Sequence, residues 1–568
     1  MFVRWFQKLP PSAREVALTC ICGVAGSLAA VAFHEAITAI YEAVWEPLAE
    51  TPLWQFAAVS LALLTGVGVV SGILMACIAP DAAGSGIPQL KVAYWRDMGC
   101  VPLKAVIVKF LAGVISVGGG LSLGREGPTV HIAGGLASWL SARLGSIGPA
   151  RRTACACGAA AGLAAAFNTP IAAVTFVLEE IVEDLNSRSI GRILFASVVS
   201  VFALYLIAGT DAVFHIPEIR EFDPVVYLLA LPVGAVSALV GVAFQKATLG
   251  WRKRIRRRSK LPLWLRPAVG GFFTWIAGCA VFAFFGRTGI MGLGYEDLAM
   301  GLSGQLAFGV VAALLVAKFG ATVASYAWGG CGGIFAPTLF LGAMAGCFCA
   351  HASGLLLTLD TGDTALLAVV GMSACLGAVV RAPLTSVLIV FEMTHDFALV
   401  VPLMIAAGVS QILSRCLCRD NFYSQVLRDD GIELDKLVGV RDFADWRKRR
   451  LGAFATFGPV AVESEDPSHL RELLEKYPYA VFPVTGPDGR VRGVASRDDI
   501  ARASGGHAAL HIHPAAMVSP EALIGQIERT LIDAPLNMLV LVDPARRNLV
   551  GIFTLHDLLR SQLAASDA

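Results

Sequence analysis

The sequence predicts an all-α polytopic membrane domain with interrupted spans, followed by a soluble α/β pair of similar units. Three observations carry this prediction. Of 568 residues, 56% are hydrophobic and only 15% charged, where a soluble domain has about 25% charged, and mean hydropathy is +0.67. The shortage of charge is confined to roughly residues 15–414, and short glycine–proline turns interrupt that apolar stretch. Beyond about residue 430 the composition changes to short β-like runs alternating with amphipathic segments.

The amino-terminal segment is aromatic and basic. It passes through Pro10 and Pro11 into an apolar run without an A-x-A-type cleavage pattern. It reads as a retained amphipathic segment on the cytoplasmic side. Apolar runs then recur at 53–78, 154–178, 225–243, 306–316 and 365–380. A bilayer core needs about 20 apolar residues per helix. Some runs reach that length and others are short or broken by glycine, which predicts well over ten helical segments, half-spans included. Basic clusters at 4–14, 151–152, 252–260 (RKRIRRRSK) and 447–450 (RKRR) read as loops on the cytoplasmic face. Contact with anionic lipid or nucleic acid is the minor alternative for RKRIRRRSK. The net charge of +2 identifies no partner, and no nucleic-acid partner is expected. The thirteen cysteines are scattered, and Cys155-x-Cys157 and Cys416-x-Cys418 lack a second pair or histidines at metal spacing. They read as buried thiols, and no metal site is expected.

Three breaks stand out: GSGIP at 84–88, GREGP at 124–128 and GIFAP at 333–337. A glycine–proline break in a span frees backbone N–H groups at a helix N-terminus, where partial positive charge attracts anions. Irregular backbone at membrane depth persists only where protein buries it or a cavity adjoins it. The second break carries a carboxylate, Glu126, where an anion belongs, so a proton-carrying group and an anion compete there. The alternative for Glu126 is a helix-start carboxylate favoured by the dipole. GREGPTV (124–130) matches GIFAPTL (333–339) in glycine, proline and threonine. Pro170 precedes Glu179 by nine residues, as Pro383 precedes Glu392. Two related halves with matched broken helices point to a substrate site at their interface.

These three motifs in order, with AGLAAAFNTP at 161–170, resemble the CLC family of chloride channels and chloride/proton antiporters over roughly residues 10–430. The resemblance implies a homodimer in the lipid bilayer, each subunit with its own anion pathway and two inverted-repeat halves whose half-helices aim at chloride. Helix ends contribute about 0.3–2 kcal/mol each, enough together to hold an anion while still releasing it. By motif position, Ser85 and Gly86, the backbone N–H groups of Ile334 and Phe335, and the Tyr423 hydroxyl would bind the anion. Ser85 could instead be a plain helix cap, and Tyr423 an interfacial aromatic anchor. Glu126 resembles the gating glutamate, which occupies an anion position when ionised and carries a proton when neutral. Glu180 corresponds to the glutamate that delivers protons from the cytosol in the antiporter branch. Simple exposure at a helix end is its alternative. Glu179, matched to Glu392, reads as structural. A serine in GSGIP favours chloride and leaves nitrate open.

The C-terminal region contains two units, at 478–503 and 536–561, each with strand, turn, strand, then Ser/Thr-x-x-Asp opening a helix. They resemble a tandem CBS pair. The resemblance implies ribose contacts from Ser496 with Asp499 and from Thr554 with Asp557, and so ATP or AMP as ligand. The same pattern is also an ordinary helix cap, which leaves a purely structural role open. The expected organisation is a transmembrane domain at 1–430, a linker at 431–454 and CBS units within 455–568, at about 455–505 and 513–563. The expected activity is chloride transport coupled to proton counter-transport in the inner (plasma) membrane, with both termini cytoplasmic and no required cofactor. The alternatives are a passive voltage- or pH-gated chloride channel and, remotely, a CBS-regulated membrane enzyme. No nucleophile–base set or GxxxxGK loop supports the last of these.

Overall fold

The computed structural model describes residues 6–146, 148–185, 189–209, 217, 224–432, 450–506, 508–543 and 547–559. The chain divides into two compact units, Met1–Leu434 and Asp435–Ala568. Most of the expected linker, at 433–449, lies outside the described residues.

Among the described residues the first unit is mainly helical and consists of two successive sets of eight helices. The first set is α1 (Pro11–Ala49), α2 (Leu53–Ile73), α3 (Ile87–Trp95), α4 (Leu103–Gly118), α5 (Glu126–Arg143), α6 (Pro149–Phe167), α7 (Pro170–Phe176) and α8 (Ile190–Ala208). The second is α9 (Pro224–Arg258), α10 (Arg266–Phe285), α11 (Tyr295–Leu302), α12 (Phe308–Ala327), α13 (Phe335–Ser353), α14 (Thr361–Val380), α15 (Pro383–Thr394) and α16 (Val400–Leu417), and a short α17 (Phe422–Asp429) follows. Proline in the first turn opens α3, α6, α7 and α15. Its ring presets the helical φ, and its missing N–H is one that a helix start leaves unbonded anyway. The matched helices α6 and α14 both end on a left-handed residue, Asn168 (φ 55°) and Arg381 (φ 60°), which turns the chain into the next proline-led helix.

Nine helical stretches among the described residues are long and apolar enough to span a bilayer. Burial sorts them into central and peripheral. The α14 span is 89% buried and α13 78%, whereas Leu53–Ile78 and α8 are 28% buried and present apolar side chains outward. The broken helices at the motifs are therefore enclosed by protein, the only setting in which irregular backbone at membrane depth is stable.

Reciprocal caps tie the two halves together. Glu392 on α15 accepts the N–H groups of Ile171 and Ala172 at the start of α7, at 2.9 and 2.7 Å. Glu179, just after α7, accepts those of Leu384 and Thr385 at the start of α15, at 3.2 and 2.9 Å. Each half thus supplies the carboxylate that its partner's proline-led helix requires, as a pseudo-twofold arrangement demands. Glu392→Ala strands two N–H donors at an enclosed helix start. It should cost about 2–4 kcal/mol and lower the unfolding temperature in detergent, while Glu392→Gln should recover only part of the loss.

The second unit contains two like sheets. One is the hairpin β2 (Val481–Thr485) and β3 (Val491–Ser496), extended by bridges from Val462 parallel to Val484 and from His513 antiparallel to Val494. The other contains β5 (Met538–Val542) and β6 (Leu549–Thr554), flanked by β4 (Ala516–Val518) parallel to β5 and by β1 (Thr456–Phe457) antiparallel to β6. Each hairpin thus borrows one outer strand from the chain before the first unit and one from the chain between the two units. Each continues into a helix at the Ser/Thr-x-x-Asp pattern.

Candidate functional site

The three interrupted turns lie far apart in sequence and are stapled together through their backbones. The Gly124 N–H donates to the Gly333 carbonyl at 2.7 Å and the Gly333 N–H to the Gly124 carbonyl at 2.6 Å. The Gly332 N–H donates to Gly84 O at 3.2 Å. Gly124 and Gly333 are the matched first residues of the two related motifs, so this exchange also lies on the pseudo-twofold. Two glycines make the approach feasible. Gly86 has φ 92°, and a Cβ there would stand 2.7 Å from His131 Cβ; a Cβ on Gly127 would stand 2.8 Å from Ser85 O.

Two fully buried lysines fasten the loops behind these turns. Lys109 Nζ donates to the carbonyls of Ala82 and Gly84 at 2.6 and 2.8 Å. Lys318 Nζ donates to those of Gly289, Ile290 and Gly292 at 2.9, 3.3 and 2.8 Å. They hold equivalent positions, each fifteen residues before its motif glycine. The loop that Lys318 holds, GLGYE at 292–296, is the second half's counterpart of GSGIP. Gly294 is left-handed at the start of α11 (φ 76°), as Gly86 is at the start of α3. Sequence reasoning missed this fourth turn because it lacks proline. The common offset between the halves, 208 residues from GSGIP to GLGYE and 209 from GREGP to GIFAP, was the signal that could have found it.

Glu126 opens α5 and is fully buried. Its Oε1 accepts the Tyr295 hydroxyl at 2.8 Å, and its Oε2 accepts the Ala336 N–H at 3.3 Å. Ala336 lies in the first turn of α13, immediately after Ile334 and Phe335. The carboxylate therefore sits at the positive end of an enclosed helix. Arg125, beside it, donates to Ala166 O at 3.0 Å, contacts His34 Nδ1, and lies over the Tyr295 ring. Ser85 is buried, and its Oγ accepts the Ile87 N–H at 3.3 Å.

Tyr423 is fully enclosed, with its ring edge-on to Phe422. Its hydroxyl has no hydrogen-bond partner among the described residues. That enclosure argues against an interfacial anchor, and a buried hydroxyl without a partner is a costly arrangement unless water or a ligand satisfies it.

Glu180 lies in a π-helical turn, Val177–Val182, that extends α7, a distortion frequent at functional sites. It is buried rather than exposed at a helix end. Lys91 on α3 donates to Glu180 Oε1 at 2.9 Å and pairs with Glu183 at 2.8 Å. Asn421 Nδ2 donates to Glu180 Oε2 at 2.7 Å, while Asn421 Oδ1 caps α17 through the Ser424 N–H at 2.7 Å. The short helix α3 thus begins at Ser85–Gly86 and carries the counter-ion of Glu180, and α17 carries both Tyr423 and Asn421. Neither Lys91 nor Asn421 lies inside a break, so the sequence pattern assigns no role to either.

In the second unit, Ser496 and Asp499 form a capping box. Asp499 accepts from the Ser496 N–H at 3.2 Å and also from the Ser496 hydroxyl, Arg502 at 2.6 Å and His513 at 3.1 Å. Asp557 accepts from the Thr554 N–H and hydroxyl at 2.9 and 2.8 Å. The Ser496 hydroxyl bond, with His513 and Arg502 adding to it, holds the Asp499 carboxyl at about 2 against its ordinary 3.8. A carboxyl held low stabilises the fold above its unfolded-state value and loses that contribution on further acidification. Between pH 4 and pH 2 the wild type should therefore lose stability that Asp499→Asn never had, so the two melting curves should converge with falling pH in circular dichroism.

The voltage gated chloride channel family model matches residues 67–415, and CBS domains match 459–506 and 508–564. The H(+)/Cl(−) exchange transporter ClcA of Cronobacter sakazakii is 30% identical over 430 residues, covering 72% of this chain and 88% of that protein. The transporter of the same name in Salmonella typhimurium is 29% identical over 431 residues, covering 72% and 87%. Among solved structures, a slow cyanobacterial Cl−/H+ antiporter superimposes with a TM-score of 0.65 at 25% identity, over 74% of this chain and 99% of its own. A eukaryotic CLC transporter aligns with 96% of this chain and 98% of its own, at a TM-score of 0.63 and 20% identity, a likeness of fold alone. With its converging broken helices, its paired halves and these matches, the chain belongs to the CLC family, voltage gated chloride channel type, and carries a C-terminal CBS pair.

Proposed function

We propose that this protein exchanges chloride for protons across a membrane, with Glu126 taking turns with chloride at the start of α13. The observation that carries the reading is the Glu126 carboxylate on the Ala336 N–H, an anion seated where a helix end attracts one. Ser85, Gly86, Ile334, Phe335 and Tyr423 are proposed to complete the anion path, the Tyr423 hydroxyl, without a partner among the described residues, being the donor that chloride would satisfy. Neither chloride nor the proton changes oxidation state, so the exchange calls for no redox cofactor, and no metal is proposed.

Glu180 is proposed as the proton entry from the cytoplasm. The α17 helix starts at Asn421 beside Glu180 and ends at Asp429, with Asp430 next in sequence. Asp429 and Asp430 pair with Lys253, Arg252 and Arg256 of the basic cluster. Eight helical residues span about 12 Å, so Glu180 lies on the side of the membrane that a Lys/Arg cluster marks as cytoplasmic. Placement in the inner membrane, cytoplasmic termini and a homodimer belong to the same proposal. A passive chloride channel is the rival. A buried, hydrogen-bonded Glu180 favours exchange, since an ionisable group at that depth is by default a candidate for a proton route.

The decisive measurement is a proteoliposome assay reading a pH probe and a chloride electrode together. Uphill proton movement driven by a chloride gradient is expected; chloride flux without it would leave the channel. The capping bonds of Asp499 and Asp557 favour a structural role for Ser496, Asp499, Thr554 and Asp557. Adenine nucleotide at the CBS pair is the second reading, and heat on titrating ATP or AMP into the purified protein would establish it.

A further inference from the structure

We infer that Tyr295 is the latch of the Glu126 gate: its hydroxyl holds the ionised Glu126 side chain in the anion path, and so sets how readily chloride displaces it. The inference rests on the role proposed above for Glu126. It concerns a turn that the family motifs do not include.

Two donors hold the carboxylate, one on each oxygen. The Ala336 N–H at 3.3 Å is the longer contact and the Tyr295 hydroxyl at 2.8 Å the shorter. Both bonds are charge-assisted, but the N–H contact is longer than is usual for its type and the hydroxyl's is not. The worth of the hydroxyl bond depends on how firmly the donor is fixed, and here the fixing is thorough. Tyr295 is the first residue of α11, directly after left-handed Gly294. Lys318 holds three carbonyls of the loop before it. The Gly292 N–H donates to Gly120 O at 3.0 Å, and Asp297 takes the Gly289 N–H at 2.9 Å. Arg125 lies over the ring from the α5 side, its centre 5.7 Å from the ring centroid. A donor held this way need not be ordered again each time the carboxylate returns.

The matched position in the first half, the fourth residue of GSGIP, is Ile87, which has no side-chain donor. The two halves therefore differ at this point, and only the second supplies a hydroxyl to Glu126. When chloride displaces the carboxylate, the geometry of a tethered, two-donor grip is lost. The latch favours the occupied gate over the open one.

The test is chloride binding to purified full-length protein by titration calorimetry, in four proteins: wild type, Tyr295→Phe, Glu126→Ala and the double variant. Tyr295→Phe keeps the ring under Arg125 and deletes only the donor. Loss of one hydrogen bond to a charged group should tighten apparent chloride binding about tenfold or more with Glu126 present. In the Glu126→Ala background the same substitution should change binding less than about twofold, because no carboxylate remains to be held. That background also reports whether the Tyr295→Phe protein folds, since its anion site must still bind. Unchanged binding on Tyr295→Phe in wild type would overturn the latch. So would weakened binding in the Glu126→Ala background, which would make the hydroxyl a direct chloride ligand instead. If Glu126→Ala alone leaves binding unchanged, the carboxylate does not compete with chloride, and the site assignment falls before the latch does.

Discussion

Glu126→Gln is expected to abolish chloride-driven proton movement completely while chloride still crosses. The glutamine side chain is neutral at every accessible pH, so it carries no proton and brings no charge to the start of α13. Its carbonyl can accept only one of the two donors that now hold the carboxylate, Tyr295 and Ala336. The amide would face the other donor with its own N–H groups, and the side chain should leave the path. Charge-assisted bonds are worth roughly twice neutral ones, so the neutral side chain should also compete poorly with chloride. In the dual-probe proteoliposome assay, the chloride signal should persist and the pH signal fall to the background of empty vesicles. Proton uptake persisting in this variant would remove Glu126 from the proton route.

The second large effect is expected at Lys91. Its ammonium is completely enclosed and pairs with Glu180 at 2.9 Å and Glu183 at 2.8 Å. Lys91→Met would leave a buried carboxylate at Glu180 with only Asn421 to meet it. Breaking a buried pair from one side costs about 3–5 kcal/mol, so the variant should lose a large share of its thermal stability, as read by size-exclusion after heating. Glu180→Gln should cost far less, because the amide can still bond with Asn421 and Lys91 retains Glu183. Adding Glu180→Gln to Lys91→Met should recover stability, since no charge at 180 then needs a partner. Equal losses in both single variants, with no recovery in the double, would mean that the pair contributes by packing alone. Function separates the same residues differently. Glu180→Gln should pass chloride and no protons, which a stability change cannot imitate.

The fold class, the broken spans and most of the candidate site were legible in the sequence because they are local. Glycine and proline dictate backbone angles where they stand, so GSGIP, GREGP and GIFAP announced their turns without tertiary help. The nine-residue spacing from Pro170 to Glu179 and from Pro383 to Glu392 marked the structural pair, although not that each acid caps the other half's helix. The Ser/Thr-x-x-Asp patterns likewise predicted helix starts in the second unit, which the capping box at Ser496 displays.

Partnership across distance was not legible. Nothing beside Tyr295 indicates that its hydroxyl reaches Glu126, 169 positions away. Nothing beside Lys91 indicates two acids, and an isolated lysine in an apolar run reads as a membrane-edge residue. Motif position names the Tyr423 hydroxyl as a candidate donor, but that it is enclosed and without a partner among the described residues is a condition no spacing encodes. The sequence by itself therefore determined where the spans break and which residue types stand at the breaks, because backbone conformation follows from local chemistry. The tertiary structure decided which donors meet which carboxylates, because burial and the pseudo-twofold bring distant turns within hydrogen-bond reach.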